Sequence, residues 1–189
     1  MEIGLHYNST KNNLLEIKKR SKNKVELFKF DLTNLSKINN LLKKFNNKFN
    51  GITDLVYCAT FPIKRRKFFV DLSYNEILRM TYINYLSAMF CFKEAIKIMK
   101  LSKTKKTLTY VSSYATKTGG NKISHYVSSK SAIESLFRSI QKEYKNFNIK
   151  FLITNPSNII YDKNYKANKF SSNADSIVRL IKKEILKKN

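Results

Sequence analysis

The chain has 189 residues, of which 42% are hydrophobic and 13% aromatic, and this composition predicts one folded domain rather than a disordered chain. The formal net charge of +24 invites a nucleic-acid interpretation. The lysines are scattered among Asn, Ile, Phe and Tyr along the chain, as AT-rich coding bias produces, so we predict no nucleic-acid partner. The densest basic run, residues 64–67, is a candidate contact for an anionic partner, with a solvated loop as the alternative.

Membrane-spanning and secreted classes are also disfavoured. No apolar run reaches the roughly 18 residues of a membrane span, and the opening MEIGLHYNST lacks the pattern of a secretory signal. Cys58 and Cys91 lie in predicted apolar elements without an evident partner, which favours a reducing compartment. We predict a cytoplasmic protein without a membrane partner.

Strand-like and helix-like segments alternate along the chain, as is typical of parallel α/β proteins. In chain order, the pattern predicts a strand at 2–7, a helix at 12–20, a strand at 25–30, a helix at 35–49 capped by Thr33 or Asn34, a strand at 54–59, a helix at 74–99, a strand at 107–112, a helix at 126–146, a strand at 151–154 and a helix at about 174–186. We predict a single α/β domain over residues 1–189, with one open, doubly wound, Rossmann-like parallel sheet.

Ligands of such sheets bind at the carboxyl ends of the strands. The chemistry is therefore expected just after Asp31, Ala59, Ser113 and Pro156, where unusual residues cluster.

Tyr126 and Lys130 have the Tyr-x-x-x-Lys spacing, which places both side chains on one face of a helix. A neighbouring ammonium stabilises a phenolate, so such a tyrosine exchanges a proton with a carbonyl or alcohol more readily. The spacing alone is weak, because Tyr7/Lys11 and Tyr165/Lys169 share it without supporting context.

The surroundings of Tyr126 separate it from those two pairs. Ser113 ends the strand TLTYVSS upstream, and Asn84 stands in the middle of a predicted helix, where asparagine is mildly disfavoured. Asn84, Ser113, Tyr126 and Lys130, in this order and spacing, resemble the catalytic tetrad of the short-chain dehydrogenase/reductase family, in particular its 3-oxoacyl-carrier-protein-reductase type. The stretch from TLTYVSS to SLFRSI resembles the family's strand, serine loop and catalytic helix.

The resemblance implies a role for each of these residues. Tyr126 would donate the proton in reduction, and Ser113 would hydrogen-bond the substrate carbonyl. Lys130 would lower the Tyr126 pKa and bind the nicotinamide ribose, and Asn84 would hold a water for proton relay. Further segments, HYNST, FDLTN, YCAT and NPSNI, resemble cofactor-binding positions of the family. The cofactor-binding residues implied in this way are Asn8, Asp31, Leu32, Ala59, Tyr126, Lys130, Pro156, Ser157 and Ile159.

The chain departs from the family in its glycines. None of its four glycines forms the Gly-rich turn that approaches the pyrophosphate. If HYNST ends the family's second strand, the first strand, the phosphate loop and the first helix are missing. The family's last strand, which usually follows the final helix, is expected to be missing as well. A central strand should then lack a neighbour and expose an apolar seam. Thr60 and Ser157 replace glycines, and Tyr57 brings a large side chain to the cofactor region.

Two functions remain open. The first is an NAD(P)(H)-dependent oxidoreductase that reduces a ketone, for example a 3-oxoacyl or sugar carbonyl, of a small-molecule or carrier-bound substrate. Asn8 offers no carboxylate to the ribose hydroxyls, which favours NADP(H) over NAD(H). The second is a cofactor-free binding or scaffold subunit, either a homo-oligomer or paired with a full-length paralogue. His6 and His125 are the only histidines and predict no metal site.

Overall fold

The computed structural model describes residues 1–9, 12–160 and 171–186, with side chains described outside 158–160 and 171–174. The strands are β1 (Glu2–Tyr7), β2 (Lys24–Lys29), β3 (Asp54–Tyr57), β4 (Lys106–Val111), β5 (Ile149–Thr154), β6 (Asn158–Ile160) and β7 (Ser171–Asn173). The helices are α1 (Asn12–Arg20), α2 (Ile38–Phe49), α3 (Tyr74–Thr81), α4 (Ser87–Met99), α5 (Ala115–Thr118), α6 (Ser124–Glu143) and α7 (Ala174–Leu186).

The parallel strands form separate sheets. Strands β1 and β2 pair in parallel, with Glu2 opposite Lys24, while β4 lies between β3 and β5 in a parallel three-stranded sheet. A short third sheet joins β6 to β7. The predicted parallel α/β class is confirmed, but the prediction of one continuous sheet is wrong. No strand in the described ranges lies between β1 and β3 to join the two larger sheets, as the missing first family strand predicts.

The apolar core is centred on β4. Five of its six residues are buried, and Leu108 and Tyr110 are fully so, because β4 has a hydrogen-bonded strand on each side. Phe92 of α4 and Phe137 of α6 meet with ring centroids 4.7 Å apart. Leu41 and Leu42 of α2 belong to the same core cluster and tie the two-stranded sheet to the rest. In contrast, β1 has no fully buried residue.

The predicted helix at 74–99 is one helical run with a change of pitch. Its first and last parts are α3 and α4, and residues Tyr82–Leu86 between them form a π turn. At the start of α3, Ser73 and Glu76 cap each other's backbone N–H groups, which fixes where the helix begins. The side chain of the predicted cap Asn34 accepts from Ser36 Oγ at 3.2 Å and not from a backbone N–H of the helix. None of the helices within the described ranges is long and apolar enough to cross a membrane.

Candidate active site

Lys130 lies beneath the carboxyl end of β4. It is one helical turn beyond Tyr126 on α6 and is only 2% exposed. Its Nζ donates a hydrogen bond to the carbonyl oxygen of Val111 at 2.9 Å and lies 5.8 Å from the Tyr126 ring centroid. The same Nζ lies 4.9 Å from the Tyr110 ring centroid. The helix and the strand end therefore hold a cation beside a half-buried tyrosine.

Burial changes the acid–base behaviour of this lysine. Removal from water disfavours the ammonium and lowers the pKa of Lys130 to about 8. At neutral pH the side chain therefore still carries its proton, in a region of low dielectric where its field is poorly screened. A phenolate forming at Tyr126 would be stabilised by that field.

Ser113 follows β4 and is positioned by a buried carboxylate. The backbone carbonyl of Ser113 accepts hydrogen bonds from Thr116 Oγ1 at 2.8 Å and Asn155 Nδ2 at 3.3 Å. Both donors also bind Glu134 Oε1, at 2.8 and 2.5 Å. Glu134 is 4% exposed and accepts a further bond from Ser112 Oγ at 2.6 Å. This carboxylate therefore fixes the turn that presents Ser113.

Glu134 is a residue that the sequence analysis missed. Burial by itself would raise the pKa of its carboxyl, but the hydrogen bonds from Ser112, Thr116, Asn155 and Lys117 together hold that pKa below its ordinary value. The signal available in the sequence was its position four residues after Lys130, on the same face of α6.

Asn84 lies in the π turn and is fully buried. Its Oδ1 accepts hydrogen bonds from Phe61 N at 2.9 Å and from Thr60 Oγ1 at 3.1 Å. Its Nδ2 donates to Ser129 Oγ at 3.0 Å, and Ser129 lies between Tyr126 and Lys130 on α6. The side chain thus joins the segment after β3 to α6, as π turns at functional sites often do. Its predicted role in holding a water stays a prediction.

Tyr57 does not enter the cofactor region. The ring is 5% exposed and packs against Phe92 and Tyr110, and its hydroxyl donates to the carbonyl oxygen of Ile83 at 2.7 Å. Alternation along the strand end turns the next residue, Cys58, to the exposed side. The prediction of a large side chain in the cofactor region therefore does not hold for Tyr57.

The remaining predicted cofactor residues fall into two groups. Asn8 and Asp31 are exposed and follow the two strands of the smaller sheet, and Asp31 Oδ1 accepts from Thr33 N at 2.9 Å. That bond is the main cause of the lowered pKa of Asp31. Leu32 is buried in the core cluster, so its side chain is not available to a nucleotide.

The second group follows the three-stranded sheet, on the same side as the tetrad. Ala59 and Ser157 are half-buried, and Pro156 is buried with its carbonyl accepting from Tyr114 N at 2.8 Å. Ile159 lies in β6, and its side chain is outside the described residues. Ser113, Tyr126 and Lys130 thus lie at or beside the carboxyl end of β4, and Asn84 is joined to α6 through Ser129. Asn8 and Asp31 follow the strands of the other sheet.

Comparison with known proteins identifies the class to which this arrangement belongs. The family model for short chain dehydrogenases matches residues 3–170. The chain therefore belongs to the short-chain dehydrogenase/reductase family, as the tetrad predicts.

Among curated proteins, the chain is similar to 3-ketodihydrosphingosine reductases. It is 29% identical to that of Bos taurus over 121 residues, which are 64% of this chain and 36% of the relative. It is 25% identical to that of Dictyostelium discoideum over 138 residues, which are 71% of this chain and 41% of the relative. The chain thus spans well under half the length of these relatives.

Solved structures share the fold at low sequence identity. A 3-oxoacyl-[acyl-carrier protein] reductase from Brucella melitensis superposes with a TM-score of 0.78 at 17% identity, covering 84% of this chain and 66% of that one. The NADH-dependent reductase A1-R' complexed with NAD gives 0.73 at 22%, covering 83% and 68%. ElxO with NADP bound gives 0.74 at 21%, covering 84% and 63%.

Proposed function

We propose that this chain carries the catalytic portion of an NADP(H)-dependent ketone reductase. The observation that carries the proposal is the buried Lys130 ammonium, held one helical turn from Tyr126 at the strand end that leads into Ser113. The similarity to 3-ketodihydrosphingosine reductases favours a long-chain 3-ketone as substrate over a sugar carbonyl or a carrier-bound acyl group.

The residues divide the work of reduction. Ser113 Oγ hydrogen-bonds the carbonyl oxygen and holds the ketone in place, and Tyr126 delivers a proton to that oxygen. Lys130 stabilises the phenolate that remains on Tyr126, and Glu134 keeps the Ser113 turn in position. Acid catalysis of this kind contributes about 10²–10⁴-fold to rate. A nicotinamide cofactor, when bound, supplies the hydride.

The site fits one end of such a cofactor better than the other. A lysine ammonium has three N–H donors, and in the described part of the chain only Val111 accepts from Lys130. A buried ammonium with donors to spare suits the ribose hydroxyls next to a nicotinamide. For the pyrophosphate, the described ranges contain no Gly-rich turn. Asn8 in place of an acidic residue favours NADP(H) over NAD(H).

A second candidate is a cofactor-free binding subunit, either a homo-oligomer or paired with a full-length paralogue. The observation that favours it is the break between β1 and β3, which leaves each with one unpaired edge among the described strands. Unpaired parallel edges are ready templates for another strand. A cytoplasmic setting remains a prediction for either candidate.

Titration with NADPH and NADH, followed by nicotinamide fluorescence and thermal melting, tests the two candidates against each other. We expect saturable NADPH binding at micromolar concentration, weakened at least about tenfold in Lys130→Met and unchanged in Lys142→Met, which removes an exposed lysine from the same helix. Absence of binding up to millimolar cofactor would overturn the reductase proposal for this chain and favour the binding subunit.

A further inference from the structure

Six large apolar side chains are exposed within one short stretch of the chain. We call them the apolar patch: Phe68 (59% exposed), Phe69 (66%), Val70 (87%), Tyr74 (88%), Leu78 (54%) and Tyr82 (39%). Scattered exposed apolar residues are common, but a contiguous group of this kind marks an interaction surface.

Three members of the patch form one stripe along α3. Tyr74, Leu78 and Tyr82 are spaced by four residues, so they follow one face of the helix and its π continuation. The opposite face is used for folding, because Met80 is fully buried. The capping box at Ser73 and Glu76 holds the start of this helix in place. The patch is therefore a surface on a fixed element and not a loose end of the core.

Basic side chains border the patch. The basic cluster, Lys64–Lys67, leads directly into Phe68, and Lys122 Nζ lies 4.1 Å from the Phe68 ring centroid. The backbone N–H of Lys67 donates to the carbonyl oxygen of Lys122 at 3.1 Å, which holds the two basic segments together.

The acidic residues in this region do not cancel the cluster. Lys67 Nζ lies 2.8 Å from Glu76 Oε1, and these two charges neutralise each other. Asp71 is the other acid between the cluster and Tyr82. Lys64 and Arg65 are exposed, and within the described residues neither forms an ion pair. A net positive border therefore remains beside the apolar surface.

We propose that the apolar patch and the basic cluster together dock onto an anionic lipid bilayer. Aromatic and aliphatic side chains beside lysine and arginine are the composition of surfaces that lie in the interface of a membrane. A second copy of this chain fits less well, because an isologous contact repeats the same surface and offers no opposite charge to the basic cluster. This surface docking needs no spanning segment, so it differs from the membrane partner that the sequence disfavours.

Docking would bring the lipid surface close to the candidate active site. The Lys122 segment leads into α6, where His125 precedes Tyr126. His125 comes three residues after Lys122, which borders the patch, and burial lowers the pKa of His125. Resting on the proposed function, this placement gives a ketone on a long-chain lipid direct access to the tetrad.

Vesicle co-sedimentation tests the docking without requiring turnover or cofactor. The probes are vesicles of phosphatidylcholine alone and of phosphatidylcholine with about 30% phosphatidylserine, at about 0.1 M and 0.5 M NaCl. We expect binding to the phosphatidylserine vesicles that falls at least fivefold at the higher salt. The double variants Phe68→Ser/Phe69→Ser and Lys64→Gln/Arg65→Gln should each lose at least about fivefold in partitioning.

Matched controls separate the surface from bulk charge and bulk hydrophobicity. Lys43→Gln/Lys44→Gln removes the same charge from the exposed face of α2, and Leu101→Ser removes an apolar side chain that is 82% exposed after α4. Both should bind as the unaltered chain does. Equal loss in Lys43→Gln/Lys44→Gln would overturn the proposal in favour of unspecific charge. A lack of binding to the phosphatidylserine vesicles would also overturn the proposal. A dimer, seen by sedimentation velocity, that Phe68→Ser/Phe69→Ser dissociates would then assign the patch to a second copy of this chain.

Discussion

The three-stranded sheet and the two-stranded sheet use the same parallel pairing but are packed very differently. In the first, β4 has neighbours on both sides, and Leu108 is fully buried. In the second, β1 pairs only with β2, and none of its residues is fully buried. Even β3, at the broken side of the larger sheet, leaves Val56 37% exposed.

The difference in packing matches the positions of the candidate site residues. Ser113, Tyr126 and Lys130 all stand on or beside β4 and α6, so the groups that must hold a fixed geometry are attached to the best-packed part of the molecule. Asn8 and Asp31 are attached to the sheet that is less buried. A well-packed candidate proton-transfer site and a less buried candidate nucleotide region are thus combined in one chain.

Loss of the Tyr126 hydroxyl should give the largest effect. Tyr126→Phe removes the proton donor and should lower the rate of ketone reduction by about 10²–10⁴-fold, with little change in thermal stability. NADPH oxidation measured by absorbance checks the rate. Tyr144→Phe, on the last turn of the same helix region, should retain full activity. A Tyr126→Phe rate above a tenth of the original would contradict the assigned role.

The difference in packing can be measured with two matched truncations. Leu108→Ala opens a cavity in the fully buried strand and should reduce the free energy of unfolding by about 3 kcal/mol. Leu5→Ala, in the half-buried β1, should cost about 1 kcal/mol. Urea unfolding measures both. Equal losses would mean that the two sheets are equally well packed, which would contradict the tighter packing of β4.

A buried glutamate near β4 and a partly exposed glutamate on β2 should contribute differently to the free energy of unfolding. Glu134→Gln breaks a buried set of hydrogen bonds and should cost about 2 kcal/mol of unfolding free energy at pH 7. Because the native pKa of Glu134 is lowered from 4.5, its contribution is present above the unfolded pKa and is lost as pH falls through the native one. Denaturation should therefore show a smaller difference in unfolding free energy between the unaltered chain and Glu134→Gln at pH 3 than at pH 7. Glu26 lies on β2 and forms ion pairs with Lys18 and Lys48. Because these pairs lie at the surface, Glu26→Gln should give no resolvable change in the free energy of unfolding.

The smallest effect has the opposite sign. Lys130→Met replaces a buried ammonium by an apolar side chain and should raise the free energy of unfolding by about 1 kcal/mol at pH 7, while activity is lost. The native pKa of about 8 lies below the ordinary 10.5. Between these two pH values the unfolded chain binds more protons than the native chain, so the stability of the unaltered protein rises with pH. The difference in unfolding free energy between Lys130→Met and the unaltered protein should therefore shrink. A gap independent of pH up to 10 would show that burial does not strain this lysine.

Most of the fold could be predicted from the periodicity of the sequence. The predicted helix at 126–146 corresponds to α6, and the predicted strand at 107–112 to β4, with boundaries shifted by a few residues. Periodicity wrongly predicted one continuous sheet, and only the family strand that has no counterpart here indicated the break. The π turn could not be predicted, because the bonds that Asn84 makes there come from Thr60 and Phe61, which are distant in sequence.

The candidate site was predicted in part. The spacing of Tyr126 and Lys130 with Ser113 located it, because helix geometry and strand ends are readable from sequence. Glu134 was missed, since a glutamate on an amphipathic helix is ordinarily a surface residue and only the packed structure supplies its four donors. The direction of Tyr57 was missed because alternation at the end of a strand depends on where the strand stops.

The π turn also sets a rotational phase along the helical run. A π turn holds about one residue more than an α turn, so α4 is rotated by roughly 100° relative to an uninterrupted α-helix that starts at Tyr74. Deleting one residue between Tyr82 and Leu86 would let regular α-helical bonding resume, but it would turn Cys91 and Phe92 away from the core. The number of residues in the π turn that holds Asn84 therefore determines which face of α4 is buried. We therefore expect a one-residue deletion in this segment to disturb the packing of α4.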